Sequence, residues 1–471
     1  MMDNSSILFE GYIEAHRAEI IHEIQKLVRI KSVEEKPEEG KPFGEGPYKA
    51  LTHVLHTGKK MGFPCKNFDG YAGHIEYGEG YETLGVLVHV DVVPEGENWV
   101  FPPYSARIED GKMYGRGAYD DKGACIAAMY ALQAVKESNL PLQRKIRIII
   151  GANEETGMKD IPYYLEREKE PDLAFSPDAP FPAVYGEKGI LELVIKKKLS
   201  STKKSSCLLS LGGGSSAKVV PGECTAVLKL DEEKRRTVEN SLKFFNRGFG
   251  YHTSYDSDSQ EMTIIIEGKE AYATKPEEGK NAISGMMYFL SEIDFIGKEL
   301  LSFLHTYIEK IGEEYDGTSL NCNFADDIST PLTFNIGTIK YSVGTIEMKA
   351  HIRYPIKTSH EDILKSLRSS LAQDGIEVEI EKISKPLYVE KNSFLVQTLM
   401  KVYREATGDT SAQPVTMTGG TYARTMKNAV AFGPLFPGED QVAHSPNEYL
   451  NIESIIKATK IYAKAMYELA K

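Results

Sequence analysis

Apolar positions change their period several times along the chain, and each change marks an element. Between residues 11 and 30, Ile20, Ile21, Ile24, Leu27 and Val28 recur at helical spacing, which predicts an amphipathic first helix. Lys31 to Pro47 is rich in Glu, Gly and Pro and reads as a loop, with a second helix expected over Tyr48–Met61. Leu84–Val88 is an unbroken apolar run with the length of a buried strand. An Ala-rich helix is expected over Ala124–Lys136, and two more apolar strands over Lys145–Ile150 and Asp172–Ser176.

Near Gly189 the character changes. From there to Lys385 strands are expected at Ile190–Lys198, Thr225–Leu230, Met262–Glu267, Thr333–Tyr341, Thr345–Tyr354 and Glu377–Lys382. Helices are expected at Ala282–Ile293, Leu300–Ile311 and Glu361–Ala372. GGGSS at Gly212–Ser216 lacks the Gly-Lys-Ser/Thr ending of a phosphate loop and reads as a turn. The chain then returns to a helix at Asn392–Thr407, a strand at Ala429–Phe436 and an amphipathic closing helix at Ile452–Leu469. The simplest architecture is an α/β domain, residues 1–188 and 386–471, interrupted by an inserted α+β domain at 189–385.

A length of 471 residues leaves room for two or three domains. The 56 basic and 68 acidic residues give a net charge of −12, which argues against general affinity for nucleic acid and suits a soluble protein. The start, MMDNSSILFEGYIEAH, has no basic region followed by an apolar core, and no later run approaches ~20 uninterrupted apolar residues. Neither a leader nor a membrane span is expected. Five scattered cysteines fit reduced thiols in a cytoplasm better than a disulfide framework.

Candidate chemistry gathers at the strand ends. His89 and Asp91 close the Leu84–Val88 run, and residues i and i+2 of a strand share a face. An imidazole beside a carboxylate suits a metal ligand and the group that orients it. GRGAYDDKG sets Asp120 and Asp121 in a glycine-flanked turn, GANEETG carries Glu154 and Glu155, SPDAPFP carries Asp178, and AHSPNEY carries His444. His89, Glu154, Glu155 and Asp178 all fall just past strand ends, where open α/β sheets bind ligands. Taken singly, His89 could be a buried core histidine and Asp120 a helix cap. Together, two imidazoles with several carboxylates suit zinc or manganese rather than calcium. That many like charges at one site need cations. Two metals ~3.5–4 Å apart, sharing one bridging carboxylate, would use all of them. Of Glu154 and Glu155, one would then bind a metal and the other hold the attacking water as general base.

Six segments in order, HVDVVPEG, GRGAYDDKG, NEETG, SPDAPFP, GGTYAR and AHSPNE, resemble the co-catalytic zinc family of aminoacylases, carboxypeptidases and dipeptidases. NAVAFGPLFPGED, AHSPNEY and RYP are similar to its PepV-type bacterial dipeptidases, and the resemblance covers nearly the whole chain. It implies a zinc-peptidase-like α/β catalytic domain with an inserted lid, and two divalent ions, zinc first with manganese or cobalt as substitutes. Asp120 would bridge the ions, one also held by His89 and Asp178, the other by Glu155 and His444. Glu154 would be the general base and Asp91 would orient His89. The Asp120–Asp121 peptide bond would be cis. Arg353, which the residues alone would leave as a surface salt bridge, would meet a substrate carboxylate bidentately. Gly419, Gly420 and Thr421 would offer backbone N–H groups to the same end.

Two positions depart from the pattern. Tyr272, in GKEAYATKPEEGKNA, stands where the family carries a lid histidine, and Lys218 stands where it tends to carry asparagine before V-V-P. The activity expected from the resemblance is metal-dependent hydrolysis of small peptides, dipeptides above all, by a cytoplasmic monomer. The inserted domain is long enough to replace a dimer partner. Removal of an N-acyl or N-carbamoyl group from an amino acid is a second reading. A metal-binding protein without turnover is a third, resting on Tyr272 and opposed by the retained Glu154.

Overall fold

Leu84, Val86, Leu87 and Val88 are fully buried, as are Ile146, Ile148, Ile149 and Ile150 on the next strand. Apolar side chains on both faces require cover on both faces, which is the position of a central parallel strand. Thr83–His89 lies parallel between Lys145–Gly151 and Leu173–Ser176, and Ala429–Phe432 continues the parallel set. Antiparallel strands flank it: Ala72–Tyr77 and Cys65–Phe68 on one side, Ala183–Glu187 on the other. Helices Ala124–Glu137 and Ile452–Ala470 are buried along most of their length. The Asn451 side chain caps the closing helix by accepting from the Glu453 and Ser454 N–H groups.

This computed structural model describes residues 4–200, 206–248, 251–257, 261–342 and 344–471. The chain divides into two units, Met1–Gly186 with Leu387–Lys471, and Glu187–Pro386. The second is an eight-stranded antiparallel sheet in the order His252–Ser257, Glu261–Glu267, Glu223–Lys229, Leu208–Gly213, Thr333–Ser342, Thr345–Tyr354, Gly189–Lys198, Ile376–Ser384. Its core includes Leu191, Leu193, Ile264, Ile266, Met286, Phe303, Leu304 and Leu367. The fold is therefore an α/β domain interrupted by an inserted α+β domain.

Several local expectations change. The first helix is two helices, Asn4–Ala15 and Arg17–Val28, broken at His16. Phe9 and Ile13 bury the earlier one. Gly212 and Gly213 are not turn residues: they pair with Thr225 and Cys224 inside a strand. Helix Glu232–Gly248 was hidden by its charge, since Val238, Leu242 and Phe245 are its buried apolar anchors. The strand expected over Ala429–Phe436 ends at Phe432, and a cis Gly433–Pro434 bond precedes a two-residue strand. All five cysteines are free thiols. No described helix is long and apolar enough to cross a membrane.

Candidate metal centre

The site lies at the carboxyl ends of the parallel strands. His89 is the last residue of its strand, and Val90 still bonds the Gly151 carbonyl through its N–H at 3.1 Å. Asp91 therefore sits beyond the strand and not on its face. His89 Nδ1 lies 3.1 Å from the Asp91 carbonyl oxygen and 3.5 Å from its carboxylate. That carboxylate also holds backbone, since Oδ1 and Oδ2 accept the N–H groups of Glu154 and Glu155, both at 3.0 Å.

Asp120 is the centre of the cluster. The glycine-flanked turn holds it, with Gly117 at φ +81, a conformation side chains disfavour. The Asp120–Asp121 bond is cis, as the resemblance implies. Asp120 Oδ1 lies 3.0 Å from His89 Nε2, and Oδ2 lies 3.1 Å from His444 Nε2. His444 Nε2 is also 3.0 Å from Glu155 Oε2. Asp178 Oδ2 stands 3.8 Å from His89 Nε2. Donor atoms of His89, Asp120 and Glu155 all lie within 4.8 Å of one another, the spacing of a site that could hold a metal ion.

The electrostatics fit cations. Burial raises Glu154, Glu155 and Asp178 above the usual carboxylate range, and Asp120 raises each further. Burial works against the charge on His444, but Asp120 and Glu155 outweigh it and lift the imidazole to about 11. Asp120 is itself held low against its burial by His444 and His89. Glu154 Oε1 and Asp121 Oδ1 are buried with no hydrogen-bond partner. So dense a set of buried acids is stable only with positive charge among them. The mixed imidazole–carboxylate donors suit zinc or manganese.

A model of peptidase family M20/M25/M40 matches residues 85–468. The chain belongs to this family. Among relatives of the M20 chain, "Putative dipeptidase YtjP" of Bacillus subtilis (strain 168) is 38% identical over 462 residues, covering 97% of this chain and 98% of that one. The Beta-Ala-Xaa dipeptidase of Lactobacillus delbrueckii subsp. lactis is 33% identical over 468 residues, 98% of each chain. The crystal structure of human carnosine dipeptidase 1 shares the fold, with a TM-score of 0.60 at 16% identity over 99% of each chain.

The remaining M20 candidates are in two places. Thr421 caps the short turn Tyr422–Thr425 after Gly419 and Gly420, and the Tyr422 ring stands edge-on to His89 with centroids 6.0 Å apart. Arg424 Nη2 donates to the Gly419 carbonyl at 3.1 Å. Lys218, Tyr272 and Arg353 belong to the inserted domain. Val219 pairs with Tyr272, and the Ala273 N–H donates to the Lys218 carbonyl at 2.9 Å, so Lys218 and Tyr272 are neighbours by register. Tyr272 is 60% exposed and does not pack inside its domain. Arg353, half-buried, lies opposite Thr333 and Ile190 in the sheet.

Sequence reasoning missed Asp160. It is fully buried, accepts from the N–H groups of Ala152 (2.7 Å) and Asn153 (2.8 Å), and bonds the Tyr422 hydroxyl. Burial and Asp91 push its carboxyl up to about 6. The loop carrying Glu154 and Glu155 is thus pinned by two buried carboxylates. Asp160 lies outside all six motifs, and only its place just after GANEETG could have drawn attention to it.

Proposed function

We propose that this M20-family chain is a metal-dependent dipeptidase using two divalent ions, zinc first. The observation that carries this reading is Asp120, whose two oxygens each face a different histidine. In that reading His89 and Asp178 would hold one ion, Glu155 and His444 the other, and Asp120 would serve both. When bound, the ions supply Lewis-acid polarisation of the peptide carbonyl and acidification of a water. Glu154 Oε1, buried and unbonded, takes the proton of the attacking water and returns it to the leaving amine. Asp91 orients His89 and fixes the backbone of the Glu154–Glu155 pair. Arg353 receives the substrate carboxylate, with Gly419, Gly420 and Thr421 donating N–H groups to the same end. Tyr272 and Lys218 offer a donor and a charge to the oxyanion.

The free thiols support a cytoplasmic place. The eight-stranded inserted domain supports a monomer, which light scattering would check, an obligate dimer overturning it. For the function itself, metal-reconstituted protein is assayed with zinc and with manganese on dipeptides and on N-acyl and N-carbamoyl amino acids. Turnover of dipeptides above the others is expected. Turnover of the acyl or carbamoyl compounds alone would transfer the site to amidohydrolysis, and no turnover with metal bound would leave a binding protein.

A further inference from the structure

Among the charged residues of the family motifs that have no role in that reading, Arg116 of GRGAYDDKG and Glu448 of AHSPNEY form a buried pair. They are 2% and 0% exposed. Arg116 Nη1 donates to Glu448 Oε2 at 2.7 Å. Each partner also holds backbone. Glu448 Oε1 accepts the N–H groups of Tyr119 (3.0 Å) and Asp120 (3.2 Å). Arg116 Nη2 faces the carbonyl oxygens of Pro94, Glu95 and His444, each at 3.3 Å. The Gly115 N–H donates to the Glu448 carbonyl at 2.9 Å, and the guanidinium sits 5.3 Å from the centre of the Trp99 ring.

We infer that Arg116 and Glu448 are positioning residues that set the separation of Asp120 from His444, and so the affinity of the ion those two share with Glu155. One arm of the pair ends on the Asp120 amide and the other on the His444 carbonyl, two segments far apart in sequence. His444 takes the left-handed conformation, φ 61, on an irregular loop, so its imidazole has no regular element to fix it. The other ion depends less on this pair. His89 is the end of a central strand, and its N–H is held by Asp121 Oδ2 at 3.1 Å. A buried pair serving only stability would tie any two segments together. This one ends on the residue that bridges both ions and on a residue that serves one alone.

Glu448→Gln keeps an oxygen for the two amides but turns an N–H toward Arg116, which breaks the arm to His444. Arg116→Lys keeps the charge and loses the fork that spans Glu448 and three carbonyls. The inference rests on the two-ion reading, and the test separates their failures. Purified apo protein is titrated with zinc against a competing chelator, with melting of the apo forms measured alongside. Wild type taking up fewer than two ions would sink the two-ion reading. With wild type at two, the expected result for both variants is one ion held as in wild type and the second weakened about 10- to 100-fold, the usual loss for an outer-shell partner. Apo melting is expected to change little beside that selective loss. Two ions held as tightly as in wild type, or both weakened in parallel, would overturn the inference. If Glu448→Gln fails to fold, the Arg116→Lys titration decides.

Discussion

Glu154 and Glu155 are adjacent, and their surroundings separate them. Glu155 meets the His444 imidazole, while Glu154 Oε1 is buried with no partner. Glu154→Gln is expected to lower kcat by ~10²–10⁴ and leave the metal content at two, whereas Glu155→Gln lowers the metal content itself. Elemental analysis beside steady-state kinetics checks both, and a Glu154→Gln enzyme at wild-type rate would remove the base. The exposed Tyr272 hydroxyl is a donor standing where the family carries histidine. Tyr272→Phe is expected to lower kcat by ~10²–10³ with little change in KM, since an oxyanion contact forms in the transition state. An unchanged kcat would leave the hydroxyl without a catalytic role. The candidate ligands were legible because metal chemistry restricts them to a few residue types at strand ends. The choice between the two glutamates was not, and came from the resemblance. Arg116, Glu448 and Asp160 escaped because they act on backbone N–H and C=O groups, which no side-chain pattern in the sequence displays.

The central strands were readable from their apolar runs, Leu84–Val88 and Ile148–Ile150, because burial on both faces leaves few polar positions. The strand pairs Gly212 and Gly213 enter were not, since glycine carries no face. How the elements meet was also invisible. A Cβ at Gly151 would overlap the Tyr422 hydroxyl and the Asp160 carboxylate, so this strand end must stay bare for the loop to Glu155 to form. Gly151→Ala is expected to cost ~1–3 kcal/mol in chemical denaturation and to lower activity through that loop. Wild-type stability and rate together would show the packing to be softer. Beside the flanking strand Ala72–Tyr77, Arg147 Nη1 donates to the Tyr164 hydroxyl at 3.1 Å, and that hydroxyl lies 2.9 Å from His74 Nδ1. Burial, with Arg147 adding to it, holds the His74 imidazole down at about 4, and Glu76 and Glu168 oppose this only in part. The unfolded chain binds that proton near pH 6.5 and the folded chain does not. Stability from this group is therefore full above pH 6.5 and falls as the pH drops toward 4, by about 3 kcal/mol in all. Urea denaturation of wild type and His74→Asn between pH 7.5 and 4.5 isolates it, and parallel curves would exclude the histidine.

Each unit of the molecule has its own buried core, and the switch near Gly189 from continuous to alternating apolar strands reflects a parallel sheet covered on both faces giving way to an antiparallel one. All five candidate ligands, His89, Asp120, Glu155, Asp178 and His444, belong to the unit formed by the two ends of the chain. The inserted unit's core runs from Leu191 to Val378 and contains none of them. Anything that binds only the folded form stabilises it by mass action, about 2.7 kcal/mol for one site at a hundred times its Kd. Metal is therefore expected to protect the first unit selectively. Removing it also leaves buried carboxylates facing one another, which lowers the same unit further. Hydrogen exchange with excess zinc and with chelator should differ in strands Thr83–His89, Lys145–Gly151 and Ala429–Phe432. The strands Glu223–Lys229 and Glu261–Glu267 should exchange alike in both. Equal added protection in the two sets would mean that the units open as one cooperative body, and an unchanged pattern in both would mean that the carboxylate cluster does not take up metal.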